Sequence, residues 1–309
     1  MTIGDLTKTA LDVIAPDTTS RIVLAGFIAV AFIERLICLV TKASWTNGDA
    51  WSNFTIMFVG IFIDVGAGSV YVMVYTWCFD HLRLFEVDKS LIGLTYAFVV
   101  VELISFLQHW MYHRVGILWA MHSVHHSSSE MNISVANRSL WGLSAAVPFQ
   151  MITLPLLGLS LPVAGIFSTF HIIWGYLEHT QFIPKLGFLD SFINTASNHR
   201  VHHGTQPKYL DRNFSQGIIL FDRLFGTYQR EEEKPAYGLV HPVESRNPLV
   251  IQVAGFRALF RKMSKATVGD KLRYLYKPPE WSHEDVREAD EALAGNTPER
   301  IDRQKLAAR

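Results

Sequence analysis

Two stretches of this chain, MHSVHH at 121–126 and NHRVHH at 198–203, carry the same triplet: a histidine, two other residues, then a histidine pair. Residues i, i+3 and i+4 share one face of a helix. On helices, His122, His125 and His126 would project together, as would His199, His202 and His203. A third set, HWMYH, spaces His109 and His113 four apart. Each set is able to aim two or three imidazoles at one point. Imidazole binds iron, zinc and copper, and oxygen chemistry with nitrogen ligation favours iron. Eight side chains are too many for one ion and suit two. The repetition therefore asks for a fold in which distant helices converge on a two-metal site.

The sequence around these sets is apolar. Hydrophobic residues make up 49% of the 309 positions and charged residues 18%, an unusually apolar balance for a soluble protein. Ile22–Val40 is long enough to span a bilayer core and is interrupted by Glu34 and Arg35. Phe54–Phe79 is broken only by Asp64, and Leu91–Leu107 contains Glu102. Leu140–Leu159 and Leu161–Leu177, with Pro148, Pro155 and Pro162, read as a helical hairpin that need not cross fully. A soluble helical core is the alternative for these runs. The first twenty residues lack the basic start and early apolar stretch of a cleavable signal.

The expected fold is all-α: an integral membrane helical bundle with a histidine-rich di-metal domain on the cytosolic face. Its parts are N-terminal transmembrane helices (1–107), a catalytic domain (108–248) with the hairpin embedded at 140–177, and an amphipathic segment with a polar tail (249–309). In that last part Leu249, Val253, Phe256 and Phe260 recur near helical spacing beside Arg257, Arg261 and Lys262. Such a helix suits an anionic membrane face or packing on the catalytic domain equally. The composition of Asn296–Arg309 is that of a disordered tail.

Cys38 and Cys78 sit in apolar runs outside any CxxC, against a disulfide framework or a cysteine metal site. Zero net charge gives no sign of a nucleic-acid partner. Glu102, Glu178, Asp190, Asp211 and Asp222 are candidates to accept imidazole N–H bonds, as groups behind metal ligands commonly do; ordinary salt bridges or caps are the alternative. Arg138, Arg200 and Arg212 are candidates to hold an anionic head group, or else to pair with those carboxylates. His171 reads as an interior histidine, His81 as a loop residue and His283 as part of the polar tail.

From Glu102 to Tyr228 the sequence resembles the fatty acid hydroxylase, or sterol desaturase, superfamily of integral membrane di-iron oxygenases. The resemblance is carried by QHWMYHRVGILWAMHSVHHSSSEMN, by NHRVHHGTQPKYLDRNFSQGIILFDRLFGTY and by the isolated histidine of YLEHT. It implies nine metal ligands: His109, His113, His122, His125, His126, His179, His199, His202 and His203. The sequence departs from the usual pattern at Glu102, where Asp is common, and at Gln108, Gln181 and Asn198; Gln181 and Asn198 bear on the bonding behind the ligands. YGLVHPVESRNPL and GDKLRYLYKPPEW resemble the alkylglycerol monooxygenase-like branch. That implies an O2-dependent lipid monooxygenase using two iron ions, with zinc able to replace them on purification, and glyceryl ethers as first candidate substrate. Sterol desaturation or hydroxylation of another lipid is the runner-up. No dinucleotide fingerprint is present, so an external reductant is expected, tetrahydrobiopterin or an electron-transfer protein. The expected location is the bacterial inner membrane or the endoplasmic reticulum, as a multi-pass protein with its site facing the cytosol. A histidine-rich metal transporter or a haem protein is the reading from a different class. Either would need ligands deep in the spans, whereas most histidines here flank them.

Overall fold

The computed structural model describes residues 29, 32–40, 46–142 and 146–284. Most of the run Ile22–Val40 and the tail from 285 onward, including Asn296–Arg309, lie outside the described residues. Nine α-helices are numbered here from residue 46: α1 Asn47–Leu82, α2 Leu91–Arg114, α3 Gly116–His126, α4 Ala146–Leu156, α5 Leu161–Glu178, α6 Ala196–His202, α7 Leu220–Leu224, α8 Pro248–Ser264 and α9 Val268–Tyr276. Two short 3-10 turns, Ile133–Asn137 and Leu189–Ser191, join them. Among the described residues there is no strand beyond two isolated bridges, Ile193 to Ile218 and Gly204 to Tyr237. The described residues are all-helical in their regular structure, as the pattern implies.

α2 carries the longest apolar stretch into the site. Ser90 caps its first turn by accepting from the Gly93 amide at 3.1 Å. It is long and apolar enough to cross a membrane. α1 meets the same test only as a bent pair, its halves Gly48–Asp64 and Ala67–Leu82 meeting at 52°. The bend falls just after Asp64, the one interruption of the apolar run Phe54–Phe79. α1 also runs on through His81, which lies in its last turn, with Nδ1 2.9 Å from the Trp77 carbonyl, and not in a loop. α4 and α5 form the hairpin and pack on α1 and α2 through Tyr75, Ala97, Val101, Leu154, Leu159 and Val163.

α8 lies against the back of α3. Gly255 makes that approach possible, because a Cβ there would meet the Ala120 carbonyl. Ile251, Gln252 and Leu259 are buried, whereas Leu249, Val253, Phe260 and Arg257 face outward. The helix therefore packs on the histidine-bearing domain with one face and presents an apolar, basic face with the other. His283 is buried at the end of this layer, its Nδ1 2.7 Å from the Tyr274 hydroxyl.

Candidate metal centre

Three helices and one helix end bring nine imidazoles together. α2 supplies His109 and His113 from its last turns, α3 supplies His122, His125 and His126, α6 supplies His199, His202 and His203 at its C-cap, and His179 ends α5. They sort into two groups, each with its ligand nitrogens within 4.8 Å of one another: His109, His113, His122, His126 and His202, and His125, His179, His199 and His203. Each triplet aims two of its imidazoles at one group and the third at the other. His122 and His126 join one group while His125 joins the other; His199 and His203 join the second while His202 joins the first.

The Nε2 atoms face one another at short range. In the larger group the separations are 3.1 Å for His109–His122, 3.2 Å for His122–His126 and 3.1 Å for His126–His202. In the smaller they are 3.2 Å for His125–His179, 3.0 Å for His179–His199 and 3.1 Å for His199–His203. Ligands about 2.0–2.1 Å from a central ion would have N···N edges of roughly 2.9–3.4 Å.

The proton count tells whether these contacts could be hydrogen bonds. His125 Nδ1 lies 3.2 Å from the Arg138 carbonyl, and His179 Nδ1 bonds the Gly175 carbonyl. A carbonyl only accepts, so each Nδ1 carries the proton and each Nε2 a lone pair. Two lone pairs then oppose each other at 3.2 Å. His109 and His202 are fixed alike, by the carbonyls of Phe214 at 2.8 Å and Arg212 at 2.9 Å. A second proton on these rings is disfavoured. Burial and then the neighbouring imidazoles hold His122, His125, His126, His199, His202 and His203 well below the ordinary histidine value, and burial takes His179 down to about 4. Converging neutral nitrogens with opposed lone pairs fit cations, so these residues could hold metal ions.

Of the five carboxylates singled out, two approach imidazoles of the metal centre. Asp211 Oδ1 is 3.2 Å from His113 Nδ1 and its other oxygen 3.3 Å from Arg114. Burial raises the Asp211 pKa, but the His113 bond and the nearby cations outweigh it and leave the group below its ordinary value. Glu178 Oε2 stands 3.7 Å from His199 Nδ1, which has no hydrogen-bond partner. The other three hold loops, a helix cap and His171. Glu102, fully buried, accepts from the Gly217 and Ile218 amides at 3.1 Å each and pairs with His171 at 2.7 Å. Asp222 accepts from the Phe214 and Ser215 amides at 2.8 Å, fixing the loop whose Phe214 carbonyl receives His109. Asp190 accepts from Thr195, the N-cap of α6, at 2.6 Å. Asn198 donates to the Asp190 carbonyl at 2.8 Å, and Gln181 to the Met131 carbonyl at 2.8 Å. Asp211 and Asn213 take the left-handed conformation, both with φ of 56°, which Asp and Asn tolerate better than most residues; the turn they make presents the Arg212 carbonyl to His202.

The arginines are placed otherwise than expected. Arg138 is buried, donating to Asp49 at 2.9 Å, Asn53 at 2.8 Å and Ser127 at 2.9 Å. Arg200 is buried against Glu231 at 2.8 Å and the Ile183 carbonyl at 2.8 Å. Both guanidiniums are engaged inside the protein, in place of a head-group role, and their carboxylate partners are not among the five. Arg212 donates to the Gly226 carbonyl at 3.0 Å. Sequence reasoning passed over Asp49 and Glu231, and also Tyr112, whose ring stacks on His122 with centroids 4.9 Å apart. Only the polar run SSSEMN after the first triplet hinted at such a support network.

Comparison with known proteins agrees with this centre. The fatty acid hydroxylase model matches residues 94–227, the segment that holds all nine histidines. Alkylglycerol monooxygenase from Xenopus tropicalis is 30% identical over 269 residues, covering 81% of this chain and 57% of the relative. The Homo sapiens protein of that name is 33% identical over 220 residues, 69% of this chain and 48% of its own length. Ornithine lipid hydroxylase OlsE of Rhizobium tropici is 27% identical over 178 residues, 57% of this chain and 53% of the relative. The chain thus spans about half the length of the curated relatives it matches. No solved structure gives a significant match. This histidine-bearing segment is a fatty acid hydroxylase domain, and the chain around it is similar to alkylglycerol monooxygenases.

Proposed function

We propose that this chain is an O2-dependent lipid monooxygenase, an iron-dependent oxidoreductase whose two ions are held by the two histidine groups. The observation that carries the reading is the pair of nitrogen sets with opposed lone pairs at one end of α2. When bound, two ferrous ions supply the reducing equivalents and the O2 affinity needed to oxidise an unactivated C–H bond, which no amino-acid side chain does alone. The chain's own part is to hold both ligand sets neutral, keep water out and present one carbon of the lipid. The two electrons per turnover that the C–H bond does not give to O2 must be replaced from outside, by a reduced pterin or an electron-transfer protein.

Several features favour a membrane substrate. Outward-facing apolar residues form a broad belt on α1, α2 and α5, including Phe58, Met73, Trp77, Ile92, Ile166 and Ile172. The imidazoles lie at the end of the α2 span and not at its middle, suiting carbons near a polar head. We place that end in the cytosol, beside Arg114, Arg200 and Arg212. In a cysteine-free variant, a cysteine at Lys208 should label from the cytosolic side and one at Lys89 from the other; same-side labelling would exclude α2 as a span.

Glyceryl ethers are the first candidate substrate. An ether oxygen stabilises a radical on the neighbouring carbon, and hydroxylation there gives a hemiacetal that collapses to an aldehyde and an alcohol. Likeness to an ornithine lipid hydroxylase keeps hydroxylation of another lipid as the second reading. The test supplies purified, iron-loaded protein and a reductant with a defined alkylglycerol under 18O2. Quickly trapped aldehyde should carry the label. If the ether persists while a sterol or acyl chain in the same mixture gains oxygen or a double bond, the substrate assignment is wrong.

A further inference from the structure

An apolar groove of about 430 Å3 opens beside the larger histidine group, lined by Met111, Leu118, Phe149 and Ile152 together with Gln108 and Tyr112. Its size is that of a small-molecule site, commonly about 300–1,000 Å3. Gln108 and Tyr112 are one helical turn apart on α2, each directly before a histidine of the centre. Both side chains are buried, and neither Gln108 Oε1 nor Tyr112 Oη has a hydrogen-bond partner. Buried polar atoms are nearly always paired, so two orphans on residues that line one groove, just beneath its apolar surface, call for an explanation. The other hydroxyl on the groove, that of Thr153, is satisfied internally by the Phe149 carbonyl at 2.7 Å.

We infer that this groove binds the lipid, and that Gln108 and Tyr112 select one whose alkyl chain joins a head bearing both an acceptor oxygen and a free hydroxyl. The inference rests on the lipid oxygenase reading and names how its substrate is recognised. Each orphan asks for a complementary atom: Gln108 Oε1 accepts only, and so needs a hydroxyl donor, whereas the Tyr112 hydroxyl is free to donate to an ether oxygen. A glycerol monoether offers both on neighbouring carbons. A plain hydrocarbon offers neither and would leave both orphans buried. The Tyr112 ring also stacks on His122. A lipid oxygen held by that hydroxyl is therefore beside the imidazoles, and the apolar wall of Met111, Phe149 and Ile152 takes the chain. These two residues are positioning groups that determine specificity.

The test uses full-length protein and a 1-O-alkylglycerol with a diazirine in its alkyl chain. After photolysis, label that unlabelled alkylglycerol competes away should map to Met111, Leu118 or Ile152. Tyr112→Phe and Gln108→Leu should each weaken competition by the glycerol ether about tenfold, the scale of one lost hydrogen bond, and leave competition by an alkane of equal length unchanged. Metal content at the wild-type level certifies the variants; if a variant loses metal, the wild-type map still decides. Label elsewhere, or wild-type competition in both variants, overturns the inference. The reaction is scored separately. Ether binding with this pattern but without aldehyde would sink the ether-cleaving reading and leave the groove standing, whereas aldehyde formed at unchanged kcat/KM in both variants would do the reverse.

Discussion

The two histidine groups are built from the same parts in opposite proportion. In α3 the i, i+4 pair His122 and His126 serves the larger group and His125 the smaller. In α6 the i, i+4 pair His199 and His203 serves the smaller and His202 the larger. The two triplets thus exchange one ligand each, and this relation is symmetric. Asymmetry enters with the remaining ligands. α2 adds His109 and His113 to one side, whereas the end of α5 adds only His179 to the other. Support differs as well: His113 rests on Asp211 at 3.2 Å, whereas His199 Nδ1 has only Glu178 at 3.7 Å and no hydrogen bond. A repeated motif therefore specifies that there are two centres, and the unrepeated residues around it make them unlike.

The most severe way to break this comparison is to remove one ligand from each group at neighbouring positions. His125→Ala and His126→Ala should each abolish turnover while lowering bound metal to about half, because a centre deprived of a ligand no longer holds its ion. Elemental analysis checks this. Loss of all metal from both variants would show that the groups do not load separately. A gentler probe compares the supports. Asp211→Asn should weaken binding at the larger group by about 10–100-fold, as is usual for groups behind a ligand. Glu178→Gln, lacking a hydrogen bond to lose, should do less. Equal losses in chelator competition would mean that the two supports are equivalent.

Acidity acts on both groups alike. His179 titrates near 4 in the folded chain against an ordinary 6.5, and most of the other ligands are displaced the same way. Between those values the unfolded chain binds protons that the folded chain does not. Stability of the metal-free protein is therefore present above about pH 6.5 and falls as pH drops through that window. Thermal unfolding of chelator-treated protein at pH 7.5, 6 and 5 should show a steady decline, and a flat profile would contradict the burial described here. The smallest effect belongs to a residue outside both groups. Thr195→Ala removes the N-cap of α6, and should cost about 1 kcal/mol and loosen both groups, the smaller more, since α6 gives the smaller group two ligands and the larger group one.

Much of this arrangement was legible in the sequence, for reasons of spacing. The histidines lie at helical intervals, and apolar runs of bilayer length flank them. The division of each triplet was not legible, because spacing shows which imidazoles share a face without showing what stands opposite. Arg138 was misread because its partners Asp49 and Asn53 lie 89 and 85 positions away. Arg200 was misread because Glu231 sits in a segment with no motif. In α1 the interruption at Asp64 was legible, but the 52° bend beside it was not. The groove was invisible for a related cause: Tyr112 is an ordinary aromatic in an apolar helix until its hydroxyl is seen to lack a partner. For α8, the sequence offered packing and an outward apolar face as alternatives, and the helix has both.

Gly217 has a consequence for how this protein tolerates change. A Cβ there would run into the Glu102 carboxylate, which binds the Gly217 and Ile218 amides from within α2. The same loop carries Phe214, whose carbonyl orients His109. Alanine at 217 would push the loop off its anchor, strand a buried carboxylate and turn one imidazole away from its neighbours, all through a single methyl group. Drift in this chain is therefore restricted at a residue with no chemistry of its own, and a glycine belongs among the positions that a redesign of the substrate groove must leave untouched.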